Sequence, residues 1–191
     1  MNKSKKRTTS TIISMTVFAV VALMLYYYWI NRTEPLEETT RELTEIEKVL
    51  EKDLDSNYPK TPREVVKLYS NMLKLIYTDL EEEELEALAW KIRELYDLEL
   101  IEKNPEDEYL NKLYMDIDEW KKAGRSISNY LIVDKESEQQ KEIDDREYAI
   151  VHVTYTIQEK GKYSEKWRFL LRKDSLKKWK ILGWEYAPRE N

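Results

Sequence analysis

The chain has no cysteine in 191 residues. That excludes disulfides, thiolate nucleophiles, Cys-based zinc sites and an anchor through a lipidated cysteine. Histidine occurs once, at His152, so a two-His motif or a His-based metal triad is impossible. Three glycines, Gly124, Gly161 and Gly183, are too few and too scattered for a Gly-rich phosphate loop. The acidic runs Glu81–Glu84 and Asp144-Asp145 lack the alternating oxygen ligands and sharp glycine turn of a calcium loop. They read as a solvated helix start and a solvated turn. No metal and no cofactor is implied.

Charge is also missing, but only in one place. Residues 8–31 carry no charged side chain, whereas the rest of the chain is rich in charges of both signs. A bilayer core of about 30 Å takes roughly 20 apolar residues as helix, and in lipid the backbone must bond to itself. The run therefore predicts a transmembrane helix, held by Ile12, Ile13, Val17, Phe18, Val20, Val21, Leu23, Leu25, Tyr26 and Trp29. Its partner is the lipid bilayer. Lys3, Lys5, Lys6 and Arg7 precede it with no acid among them, which places the N-terminus in the cytoplasm and the C-terminal domain outside. The aromatic exit Tyr26-Tyr27-Tyr28-Trp29 suits the headgroup layer and makes a poor signal-peptidase site. The expectation is an uncleaved, single-pass signal-anchor in the cell membrane.

Five of the 32 basic residues lie before position 33 and all 38 acids lie after it, so residues 33–191 carry a net charge of −11. A surface that negative disfavours nucleic acid. Those 159 residues are the size of one domain. Without disulfides they must rely on a core, for which the six tryptophans and 14 tyrosines of the chain are the main material.

Beyond the basic tail at 1–7 and the span at 8–31, residues 32–58 read as a linker and helix. Leu43, Ile46, Val49, Leu50 and Leu54 recur at helical spacing, and Thr39 with Glu42 fits a capping box. This helix is either a stalk or docked on the domain. Residues 59–191 read as α+β. Thr61-Pro62-Arg63-Glu64 is a helix start. A second helix is expected from near Asp79 to about Leu98, and a third from Asn104-Pro105 to Gly124. The period then changes from 3.6 to 2. Strands are expected at Ile127–Val133, Tyr148–Ile157, Lys166–Arg172 and Trp179–Tyr186, with Asp134–Glu147 a polar connection and Gly183 a bulge. The predicted architecture is three helices packed on a four-stranded antiparallel sheet.

This order, with the ending Lys178-Trp179-Lys180-Ile181-Leu182-Gly183-Trp184-Glu185, resembles the cone-shaped nuclear transport factor 2-like superfamily, which includes ketosteroid isomerase and the SnoaL-type cyclases. The resemblance covers roughly residues 59–188. The whole chain also resembles small bacterial proteins with one N-terminal membrane helix and an acidic extracytoplasmic domain, through Thr61-Pro62-Arg63-Glu64-Val65-Val66 and the Trp179–Trp184 ending. The resemblance implies a curved sheet closed by helices. It does not select an activity, because the superfamily hosts enzymes and binding modules alike.

Candidate chemistry is sparse. His152 could be a general base lining a cone, or a histidine on a polar strand face; no acidic partner at a motif spacing supports the former. Tyr155, Trp167, Phe169, Trp184 and Tyr186 either fill the core or line a pocket. Asp116 and Asp118 could form a pocket acid pair near Trp120, but two residues apart on a helix they point in different directions. The leading expectation is a membrane-anchored extracytoplasmic binding or protein-interaction module, taking an envelope protein or a small apolar ligand and not nucleic acid. The alternatives are a small-molecule isomerase, cyclase or hydrolase using a cone pocket, and a structural partner in a cell-envelope complex. An enzyme requires an open cavity with His152 or a carboxylate pointing into it beside a tyrosine hydroxyl.

Overall fold

The computed structural model describes residues 18–27, 43–133 and 139–186. The chain divides into two units, Met1–Glu42 and Leu43–Asn191. In the first, helix α1 covers residues 18–27, and its apolar side chains, Phe18 and Leu23 among them, are exposed. The remainder of the uncharged run lies outside the described residues. No helix among the described residues is long and apolar enough to cross a membrane.

The second unit begins with α2 (Glu45–Leu50). Its capping box is formed by Thr44 and Glu47; the Thr39–Glu42 pair lies outside the described residues. Ile46 and Leu54 join the main core, so this helix is docked on the domain. Helix α3 (Pro62–Ile76) starts as its sequence dictates: the Thr61 hydroxyl accepts from the Glu64 amide, and the Glu64 carboxylate accepts from the Thr61 amide. Arg63 at its first turn donates to the Ile132 carbonyl at 3.0 Å and to the Val133 carbonyl, tying the helix start to the end of the first strand.

The helix expected to run from Asp79 to Leu98 is broken. Helix α4 (Glu82–Arg93) stops, the chain extends, and α5 (Leu98–Glu102) follows. Between them Asp97 N–H donates to the Ile181 carbonyl and Ile181 N–H donates to the Leu95 carbonyl, both at 2.8 Å. Tyr96 thus pairs in parallel with Ile181. This contact covers backbone groups that an open sheet edge would expose, which a continuous helix could not do. Helix α6 (Glu106–Ala123) ends at Gly124, whose φ of 64° is the left-handed conformation glycine adopts without steric cost.

The sheet has five antiparallel strands: β1 (Ser126–Ile132), β2 (Gln139–Ile143), β3 (Arg146–Gln158), β4 (Lys162–Lys173) and β5 (Trp179–Tyr186). β1 and β2 both pair with β3, at opposite ends of its length. Five strands replace the four expected, because the polar connection contains β2. Residues 140–143 are all exposed, so this strand is held by backbone pairing and leaves no apolar alternation in the sequence. Asp144 and Asp145, both at positive φ, turn it into β3. The bulge in β5 falls at Leu182, beside Gly183, where the register against Leu170 and Leu171 shifts.

Strict alternation on β3 buries Ala149, Val151, Val153, Tyr155 and Ile157 against the helices. In the middle of this core the Ser70 hydroxyl of α3 lies 2.7 Å from the Tyr155 hydroxyl, and both residues are fully buried. Tyr155→Phe strands the serine hydroxyl and is expected to cost about 1–3 kcal/mol. Adding Ser70→Ala should restore part of the loss in urea denaturation. A double variant no more stable than the single one would show that the pair contributes nothing through its hydrogen bond.

Candidate functional site

The inner sheet face and four helices do not close completely. Between α3, α4, α5, α6, the middle of β4 and the end of β5 they leave a cavity of about 300 Å³. Its sheet wall is Trp167, Trp184 and Tyr186. The helix walls are Tyr69, Leu73 and Ile76 of α3, Tyr96 from the paired segment, and Tyr109, Leu113 and Trp120 of α6. The rings brace one another. Tyr69 and Tyr96 lie 5.6 and 5.8 Å from Trp184, Trp167 meets Tyr186 edge to face at 5.2 Å, and Tyr77 stacks on Trp120 at 3.9 Å.

Polar groups enter this apolar space at few points. The chief one is Asp116, whose Oδ2 accepts a hydrogen bond from the Tyr77 hydroxyl at 2.5 Å. Asp116 Oδ1 makes no protein hydrogen bond among the described residues. Lys112 and Asn104 also reach the wall. The phenols here are held protonated. Burial pushes Tyr77 upward, and the Asp116 carboxylate that accepts its proton pushes further in the same direction. Burial likewise raises Tyr69, Tyr96, Tyr109 and Tyr186. The site is therefore a ring of neutral phenol and indole groups around one carboxylate. It suits an apolar molecule carrying a hydrogen-bond donor.

Trp167, Trp184 and Tyr186 line the cavity as sequence reasoning allowed. Tyr155 and Phe169 do not. Both are 0% exposed and lie under the floor, Phe169 edge-on to Tyr69 at 5.3 Å and Tyr155 edge-on to Trp167 at 5.0 Å. His152 is not a cavity residue. It shares the opposite sheet face with Ile150 and Thr154 and pairs across the ladder with Arg168, because alternation places every second residue of β3 away from the helices. Of the candidate acid pair on α6, Asp116 faces the cavity and Asp118 turns outward to Lys122. Sequence reasoning missed Tyr77, Tyr96 and Tyr109 as wall residues. One signal was present: Asp116 interrupts the apolar stripe Tyr109, Leu113, Ile117, Trp120, and an acid inside such a stripe needs a partner.

Among the described residues no group of three or more His, Asp or Glu side chains could hold a metal ion. The chain matches the family described as a domain of unknown function, DUF6715, over residues 1–184. It belongs to that family. No curated protein matches it. The family match thus spans both units, the uncharged run and the α+β domain together, and the cavity lies wholly in the second.

Proposed function

We propose that the protein is a binding module that presents an aromatic cavity for a small, mainly apolar ligand at the outer face of a cell membrane. The observation that carries the reading is the cavity itself: braced aromatic walls with one carboxylate available to orient a bound donor. The nuclear transport factor 2-like resemblance supports it, since helices followed by an antiparallel sheet suit a cone with such an interior. The tether is residues 8–31, supported by the uncharged run, the basic flank before it and the exposed apolar side chains of α1. In this reading the N-terminus lies inside the cell and residues 33–191 face the bacterial envelope.

Two ligands test the polar contact. 2-Naphthol can donate to Asp116 and naphthalene cannot. Isothermal titration should show 2-naphthol binding about tenfold tighter, and Asp116→Leu should erase the difference, as expected for a hydrogen bond to a charged group. Equal affinities in the unaltered protein would remove Asp116 from the reading. The location has its own test. Protease added to spheroplasts should digest residues 33–191, and full protection would overturn the orientation.

A second reading is favoured by Asp116 beside Tyr77. A carboxylate next to a phenol inside an open cavity is the arrangement that proton-transfer chemistry on a small ligand needs. In that reading Asp116 Oδ1 takes a proton from the ligand while a neutral phenol donates to the oxygen that gains charge. Solvent deuterium appearing in a bound cyclic ketone, and ceasing in Asp116→Asn, would select it over simple binding.

A further inference from the structure

On the other side of Tyr96 the domain has a second cleft, of about 480 Å³, whose character is opposite to that of the aromatic cavity. Four cationic side chains line it: Lys91 and Arg93 from α4, Lys178 before β5, and Lys180 on β5. Three acids also touch it, Asp53, Asp55 and Glu94. The two signs differ in depth. The Lys91 and Lys178 side chains are 15% and 25% exposed, whereas Glu94 is 48% exposed and Asp55 is fully exposed. Arg93 is buried. Cations therefore form the interior and acids the rim.

Lys91 pairs with the Glu94 carboxylate at 3.4 Å; the other three interior cations are held mainly by groups that do not neutralise them. Lys180 Nζ donates to the Glu94 carbonyl at 2.6 Å and lies 4.5 Å from the centre of the Tyr58 ring. Lys178 Nζ sits 5.0 Å from the same ring and reaches the Leu54 carbonyl at 3.4 Å, with Asp55 only at 4.0 Å. Arg93 donates to the Asn104 and Ile101 carbonyls and stacks against the Trp90 and Tyr109 rings. Among the described residues Arg93 and Lys180 have no carboxylate within ion-pair distance. Two ammonium groups sharing one phenol ring repel each other. Burial holds Lys180 below the usual lysine range, with Lys178 adding to that depression and Asp174, Glu94 and Asp55 opposing it. Tyr58 is fixed as the floor between them, because its hydroxyl donates to the Trp179 carbonyl at 2.8 Å.

Such an arrangement costs free energy in the empty cleft and gains it when an anion enters. We propose that this cleft binds the oxyanion group of a small molecule, a phosphate or carboxylate, through Lys178 and Lys180 with Arg93 behind them. A net acidic protein would otherwise repel such a ligand. The acids stay at the rim, so the ligand passes them and is held beyond them. The cleft is wider than one phosphate needs, which leaves room for the organic part of the ligand beside Leu54 and Ile101. Nothing here depends on the aromatic cavity being occupied.

The test uses the full chain in a neutral detergent. Isothermal titration is run with inorganic phosphate and, separately, with citrate, at an ionic strength fixed by sodium chloride. Saturable binding of at least one probe is expected, and the preferred probe identifies the oxyanion class. Lys178→Met and Lys180→Met should each weaken it about tenfold or more, the loss of one charge-assisted contact. Lys178→Arg retains the charge and should bind within about threefold of the unaltered protein, which separates lost charge from a damaged fold. Lys122→Met, which breaks a surface pair with Asp118 far from the cleft, should change nothing. No saturable heat with either probe, or unchanged affinity in both methionine variants, overturns the site.

Discussion

Asp97→Ala is expected to lower the stability of the domain by about 3–5 kcal/mol, the range for breaking one partner out of a buried ion pair. The two oxygens of Asp97 accept from Nε and a terminal nitrogen of Arg172, at 3.0 and 2.5 Å. The Asp97 side chain is 4% exposed and that of Arg172 is 13% exposed, so water screens the pair little. The carboxylate holds the Arg172 guanidinium still more firmly protonated than usual. Removing it leaves the cation with the more exposed Glu99 at 3.4 Å and the Tyr148 side chain. Asp97 also caps α5 through the Glu99 amide, and its own amide joins the Tyr96 segment to β5. Three elements therefore loosen together. Urea denaturation checks the magnitude, and a loss below about 1 kcal/mol would mean the pair is as weak as a surface salt bridge. Asp97→Leu with Arg172→Met should recover much of the loss, because it leaves no charge uncompensated.

Phe169→Ala is expected to cost a similar amount, about 3–5 kcal/mol, through lost apolar burial and the void left behind. Phe169 is 0% exposed. It packs on Tyr69 and on Trp184 and so supports two walls of the aromatic cavity. Leu170, one residue along β4, is 37% exposed on the opposite face, and Leu170→Ala should cost less than about 1 kcal/mol. The contrast between neighbours tests the register of β4 directly. Comparable losses at the two positions would place β4 with the wrong side toward the helices.

These positions show what could be read from the sequence. Strict period-2 alternation placed β3, β4 and β5 within a few residues, because one face of each is buried and each departure would be costly. The Thr61–Glu64 box gave the start of α3 to the residue. What failed to show was structure held by backbone alone. In the strand Gln139–Ile143, residues 140–143 are all exposed and so leave no pattern. The break at Leu95–Asp97 reflects pairing with Ile181, some 85 residues later in the chain, and local helical spacing cannot register such a partner. The same limit applied to the cavity. Tyr155 and Trp167 are alike in sequence, aromatic residues on the inner face, yet only Trp167 reaches the space that the helices leave open. Asp116 was singled out but not assigned, because its partner Tyr77 lies 39 residues away on another element.

The cavity between α3, α6 and the end of the sheet decides the functional account. Leu113, half-buried on α6, lines it and can be enlarged to fill it. Titration of 2-naphthol should show saturable one-to-one binding to the unaltered protein, and Leu113→Trp should abolish it while thermal unfolding stays within a few degrees. Absent binding in the unaltered protein, or undiminished binding in Leu113→Trp, would contradict the account.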